Sequence, residues 1–225
     1  VNFNPQNAYR NGTMYSSYKA ASFAQLYKLA AKYHANLQGA VSWSFEFEDE
    51  PWFAGFRDLA TNGVDKPVLN VFRMFGMMKG NMLEVNNTTA LSLQNIVDSS
   101  VRGSQSYVDA MATADAHNIY IMLWNYHDDD SRKNNIDINL LLQNIHADKA
   151  AISEYRIDEN NSNSYTVWKK MGSPQQVSSD QFTQLEKAGQ LKMITSSAPL
   201  KVANENINYQ LTLPSQAVVL LKVSW

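Results

Sequence analysis

No cysteine occurs among the 225 residues. That excludes disulfides, cysteine nucleophiles and thiolate metal sites. It leaves the cellular compartment open, because many secreted bacterial proteins also lack cysteine. No apolar run approaches the ~18 residues of a membrane span, so no membrane partner is expected. No basic run exceeds two residues and the net charge is −2. Neither nucleic acid nor an anionic lipid surface is therefore an expected partner. A P-loop, a dinucleotide fingerprint and a nucleophile elbow are all missing, and no cofactor is expected. The opening Val1-Asn-Phe-Asn-Pro5 lacks the basic stretch and apolar core of a signal peptide. What remains is ordinary globular material, 44% hydrophobic and 18% charged, long enough for one large domain or one domain plus part of another.

Residues 1–12 read as loop. From Thr13, the spacing of Met14, Tyr18, Ala21, Leu26, Leu29 and Tyr33 predicts a helix, with Asn11 or Thr13 as its cap. Gln38 to Phe47 alternates in the strand period, Val41, Trp43, Phe45 and Phe47 on one face, Ser44, Glu46 and Glu48 on the other. An acid-rich loop with the turn Thr61-Asn-Gly63 follows. Pro67 then opens a second helix striped by Val68, Val71, Phe72, Phe75 and Met78. After Gly80 the grammar changes. Nine stretches read as short strands: 91–97, 107–114, 119–126, 136–145, 150–157, 191–196, 201–202, 208–213 and 217–223. Polar turns separate them, and a helix with a serine cap interrupts at 178–189. Helix, strand and helix belong to an α/β barrel; evenly spaced strands belong to a sandwich. The expected fold is α+β and mainly β. Residues 1–80 are the end of a (β/α)8 barrel and 81–225 an antiparallel β-sandwich.

Residues 41–56 carry the chemistry. Aromatic rings beside carboxylates supply flat stacking surfaces and charged acceptors for hydroxyls, which is what a sugar site needs. Retaining glycosidases hold two carboxyl groups about 5–5.5 Å apart. Glu46 and Glu48 share a strand face with Cβ atoms roughly 6–7 Å apart. Neighbours on one strand seldom straddle a glycosidic bond, so they are read first as binders of sugar hydroxyls, with a solvated acidic turn as the bland alternative. Trp43 and Trp52 are candidate stacking platforms, against the commoner role of strand aromatics as core. Arg57 is expected to pair with acids of this loop. His127-Asp-Asp-Asp130 has the residue types of a metal cluster, but consecutive acids after a strand are the usual make-up of a solvated turn. No metal is assigned. Asn11-Gly-Thr13 and Asn87-Thr-Thr89 match short glycosylation patterns that often arise by chance.

Longer motifs carry a resemblance. They run from Tyr9–Ser17 through Trp43–Asp49, Phe53–Phe56, Leu59–Gly63 and Asp65–Phe75 to Trp124–Asp128, Tyr155–Asp158, Ser162-Asn163 and Trp168–Pro174. Together they resemble the C-terminal third of glycoside hydrolase family 39 β-xylosidases. The resemblance implies a retaining mechanism on xylosides with two catalytic glutamates, one on an earlier barrel strand and one just before the loop that opens this sequence. Residues 1–12 contain no acid, so neither glutamate is matched and no catalytic residue is assigned here. The expectation is a truncated barrel, inactive alone, in which Trp43 and either Glu46 or Glu48 line the sugar subsite, with Trp52 a further candidate from its residue type. Xylose-type sugars are the expected ligands, and an exposed barrel remnant favours self-association. Export of the parent to the periplasm or beyond is left open. A related sugar preference, such as that of an iduronidase or arabinosidase, and a sandwich that only binds carbohydrate or braces the barrel, stand as alternatives.

Overall fold

A computed structural model describes residues 5–42, 45–129 and 134–225. It begins with helix α1 (Pro5–Asn11) and the long α2 (Thr13–Lys32). Residues read from sequence as loop are therefore helical from Pro5 onward. Proline at a first helical position is preorganised for the helix. Gly12 separates the two helices: its N–H bonds back to the Ala8 carbonyl at 2.8 Å, and a Cβ there would crowd that same oxygen. The α2 N-cap is Gly12, without a side-chain cap. Asn11 instead donates its side-chain amide to the Phe53 carbonyl at 2.8 Å.

The tiny hairpin β1 (Ala60–Thr61) and β2 (Val64–Asp65) turns on Asn62 and Gly63. Both have positive φ, 47° and 79°, the left-handed pair that Asn-Gly hairpins require. Pro67 then starts α3 (Pro67–Met77) as the sequence predicts. Its C-terminal side closes on Gly80, at φ 81°, where a Cβ would overlap the Ala114 backbone.

Six strands form one antiparallel path: β3 (Asn81–Leu83), β4 (Tyr107–Ala114), β5 (Asn118–Tyr126), β11 (Val218–Ser224), β7 (Lys149–Ile157) and β8 (Lys192–Ser196), with β9 (Leu200–Lys201) also paired to β7. A separate ribbon pairs β6 (Ile136–Leu142) with β10 (Ile207–Leu213). Three short helices complete the chain: α4 (Leu93–Ser99), α5 (Ser164–Lys170) and α6 (Ser179–Gly189). The stretch 91–97 was expected as a strand. Ser92 caps α4 instead, accepting from the Asn95 N–H at 3.1 Å, and no residue of that helix is buried. Without a neighbouring strand to pair with, local capping decides.

Side chains alternate across the main sheet, and both faces are covered. Tyr107, Met111, Tyr120, Met122, Trp124 and Leu220 face Met14, Ala20, Ala24, Val71 and Met74 of α2 and α3. Ala110, Ala112, Ile121, Leu123, Val219 and Leu221 face the β6–β10 ribbon. The result is three layers, helices on sheet on ribbon. The first core draws on residues from both sides of Gly80.

Of the strand expected over 38–47, no described residue is in a strand. Residues 35–42 carry no regular structure, and Val41 is 91% exposed. A strand needs a neighbour to satisfy its backbone, and none lies beside this segment among the described residues. Trp43 and Ser44 fall outside them. No described helix is long and apolar enough to cross a membrane.

Candidate functional site

The segment that follows Ser44 folds back on the β1–β2 hairpin. Two amides, Leu59 N–H at 2.8 Å and Ala60 N–H at 2.9 Å, converge on the Phe45 carbonyl. Glu46 extends this contact, because its Oε1 accepts from the Gly63 N–H at 2.9 Å. Asn62 reaches the Glu50 carbonyl at 3.4 Å. The acid-rich loop is thus laced to a turn whose geometry Asn62 and Gly63 set. Phe45, Glu46, Phe47, Glu48, Asp49 and Asn62 surround an open depression of about 510 Å³. Glu46 and Glu48 are brought together there, beside Phe45, which is half-exposed.

Trp52 is not among the residues of that depression. Its ring meets Phe53 and, edge to face, Phe182, with centroids 6.3 and 6.4 Å apart, and its backbone N–H donates to Gln175 Oε1 at 2.9 Å. Phe53 is fully buried between Tyr165 and Trp168. Three non-glycine residues of this stretch, Asp49, Phe53 and Arg57, hold φ of 56–58°. For a side chain as bulky as Phe53 that is a costly conformation, kept only where the surroundings enforce it. Here the enforcing contacts are Thr61 Oγ1 on the Phe53 N–H, at 2.9 Å, and Asn11 on its carbonyl. Arg57 lies over the Phe56 ring, 5.1 Å from its centroid, rather than on a loop acid.

Beneath the loop sits a buried ion pair. Lys66 Nζ bonds Asp58, and both side chains are out of solvent. Burial pushes the Lys66 ammonium down, with the Asp58 hydrogen bond and charge opposing. Gly55 makes room: a Cβ there would overlap the Asp58 carboxylate. Next to it, Asp65 takes Arg73 at 2.7 Å and Gln190 at 3.1 Å, while Asn70 donates to the Gly189 carbonyl at 2.7 Å. These contacts fasten the hairpin and α3 to the end of α6. Sequence reading missed them, since nothing local marks Asp65 and Gly189 as neighbours.

The 124–128 motif is structural. His127 accepts the Asp129 N–H on Nδ1 and faces the Gly103 carbonyl through Nε2, both at 2.8 Å. Nε2 must therefore carry the proton, and both ring nitrogens are engaged with backbone. No group of three or more His, Asp or Glu is arranged to hold a metal among the described residues. Tyr126 donates to Asp128 at 2.6 Å. Burial works to raise the Asp128 carboxyl, but hydrogen bonds from Tyr126, Ser100 and Arg102 outweigh it and hold it below the usual range. Gln216 ties this corner to α2, accepting from Ser17 and donating to the His127 carbonyl, both at 2.7 Å. The two glycosylation patterns are occupied likewise: Asn11 is buried, and Asn87 donates to the Val108 carbonyl at 3.0 Å.

A β-xylosidase from Caldicellulosiruptor saccharolyticus is 25% identical over 173 residues, covering 77% of this chain and 32% of that protein. The solved monomeric β-xylosidase from Caulobacter crescentus CB15 superposes on 99% of the chain and 43% of its own, with TM-score 0.74 and 16% identity. The solved GH39 enzyme from Xanthomonas axonopodis pv. citri gives 0.73 at 15% identity, over 99% of this chain and 42% of its own. The chain thus spans about a third of the curated relative and under half of each solved one. The model of the glycosyl hydrolases family 39 matches residues 2–204, and the chain belongs to that family.

Proposed function

We propose that this chain is the rear portion of a retaining β-xylosidase acting on xylosides such as xylo-oligosaccharides. In this reading both catalytic glutamates belong to the part of the family's length that the chain does not span. Residues 1–80 are the closing helix–strand–helix of the barrel and 81–225 the accessory sandwich. Segment 38–47 becomes a strand when the rest of the barrel flanks it. The observation that carries the reading is the family match over nearly the whole chain, joined to its spanning only 32–43% of the relatives' lengths.

Glu46 and Glu48, on one depression, are the proposed binders of sugar hydroxyls, with Trp43 as a stacking ring; Trp52, whose ring lies outside that depression against Phe53 and Phe182, is proposed as a second platform at its margin. Holding Glu46 on a backbone N–H fixes its carboxylate before a ligand arrives. The loop's left-handed residues fit the same role, since enforced strain gathers at ligand sites. The exposed apolar surface of Leu26, Tyr27, Tyr33, Val41 and Phe45 is proposed to meet the rest of the barrel, and to favour self-association without it.

Hydrolysis needs a proton donor and a nucleophile in register, and losing either costs orders of magnitude in rate. The 225-residue chain is expected to leave an aryl β-xyloside uncleaved. Titration with xylobiose should change its tryptophan fluorescence, and Trp43→Ala should abolish the change. Turnover by the chain alone, lost in Glu46→Gln, would overturn the proposal. A flat titration would reduce the chain to a bracing role.

A further inference from the structure

A small hollow of about 160 Å³ opens where α1 meets α2. Its other walls are α5 with the turn before it, the β10–β11 turn, and Asn135 ahead of β6. Some wall residues are fully engaged by the protein. Asn163 caps α5 through Oδ1 and donates Nδ2 to the Asp158 carbonyl at 3.1 Å. Gln216 accepts from Ser17 and donates to the His127 carbonyl. These bonds fix the shape of the hollow. Thr13, Asn135, Glu159 and Thr166 differ: among the described residues no hydrogen bond or ion pair engages their side chains. Thr166 matters most. It is only 7% exposed, yet its Oγ1 is not one of the unpartnered atoms cut off from solvent. The little surface it keeps therefore includes the hydroxyl, and it faces the hollow. A buried hydroxyl without a partner is costly unless something outside the protein serves it.

We infer that this hollow binds one small, uncharged polyhydroxyl molecule, of the size of a free pentose. The wall offers hydroxyls, an amide, the Glu159 carboxylate and the Lys169 ammonium, a mixture of donors and acceptors that matches a ring of hydroxyls. One charge of each sign favours neither an anion nor a metal ion. At ~10–15 Å³ for each water-sized position, the volume suits about ten non-hydrogen atoms, as in a pentose. Stacking plays no part, because the Tyr165 ring is already taken: Trp168 stacks on it, and the Lys169 ammonium lies 4.7 Å from its centroid. Held by hydrogen bonds alone, the sugar should bind with a dissociation constant on the order of 1–10 mM. The choice of a sugar among such molecules rests on the proposed function; the hollow itself is separate from the Glu46–Glu48 depression, sharing no wall residue with it.

The test is a titration of the isotope-labelled 225-residue chain with D-xylose, read from amide chemical shifts. Saturable shifts are expected at Thr13, Thr166 and Ser215, and they should survive Glu46→Gln. Thr166→Val should weaken binding about five-fold, the worth of one hydrogen bond, and Thr166→Ser should restore it. Lys169→Ala, at an exposed position, should weaken it without disturbing the fold. An absence of shifts in the hollow overturns the inference. So do xylose shifts there that are indifferent to both Thr166→Val and Lys169→Ala, or shifts produced by glycine or inorganic phosphate and not by xylose. The Gly63 amide reports on the depression in the same spectra. Shifts at Thr166 with Gly63 silent support the hollow and count against sugar binding at Glu46. Shifts at Gly63 alone sink the hollow and leave the depression standing.

Discussion

At the scale of single residues, the buried Lys66–Asp58 pair is the most exposed to test. Removing one member of a buried pair leaves an uncompensated charge and costs about 3–5 kcal/mol. Lys66→Met is expected to lose stability on that order in urea unfolding, and Asp58→Asn added to it should recover part of the loss. Additive destabilisation would show that the two residues act separately. The tyrosines give a pH signature. Burial, first of all, raises Tyr9 to about 12, and burial with the Glu154 carboxylate nearby raises Tyr209 to about 12. Tyr107 and Tyr126 are raised as well. An unfolded tyrosine ionises near 10, so between 10 and 12 the unfolded chain has released protons that the folded one keeps. Stability is therefore full below pH ~10 and falls as the pH climbs toward 12. Tyr9→Phe should make that fall shallower in a series of alkaline melts.

At the scale of elements, local signals and long-range ones part company. The helix over 178–189 was legible because its signal is local. Ser178 accepts the Gln181 N–H and Gln181 returns to the Ser178 N–H, a reciprocal capping box. Ser178→Ala should cost about 1 kcal/mol, read as a lower urea midpoint with an unchanged slope. Strands were legible where both faces are buried: the predicted 107–114 is β4 to the residue, and 119–126 is β5 less one. Alternation there reflects two real cores. Over 38–42 and 45–47 the same alternation forms no strand among the described residues, because the pattern names a face and supplies no partner for the backbone. Helix α5 was missed for the opposite reason. Its seven residues are too few for periodicity to speak, and its cap, Asn163 accepting from Thr166 N–H at 3.0 Å, lies in a stretch that reads as turn. At the candidate site the residue types were legible in advance. The clasp of Glu46 on Gly63, and the departure of Trp52 toward Phe182, depend on tertiary folding that no spacing encodes.

At the scale of the whole molecule, the shared core matters most. Met14, Ala20 and Ala24 pack with Val71 and Met74 on one side of Gly80, and against Tyr107, Trp124 and Leu220 on the other. Segments joined this way should unfold together. Calorimetry is expected to show one transition whose van't Hoff and calorimetric enthalpies agree. Two separated transitions would mean that the helical layer and the sheet hold themselves up independently.

The sheet's midline has a temporal consequence. β11 lies between β5 and β7, pairing with Trp124 through Val218 and with Arg156 through Val219. A ribosome builds β5 and β7 long before it reaches Val218. Until then both strands wait with an open flank, and pairings over such sequence distances form slowly. During synthesis the nascent protein is thus at its stickiest in the interval before Val218 emerges, and chaperone demand should ease only after Ser224 has cleared the exit tunnel.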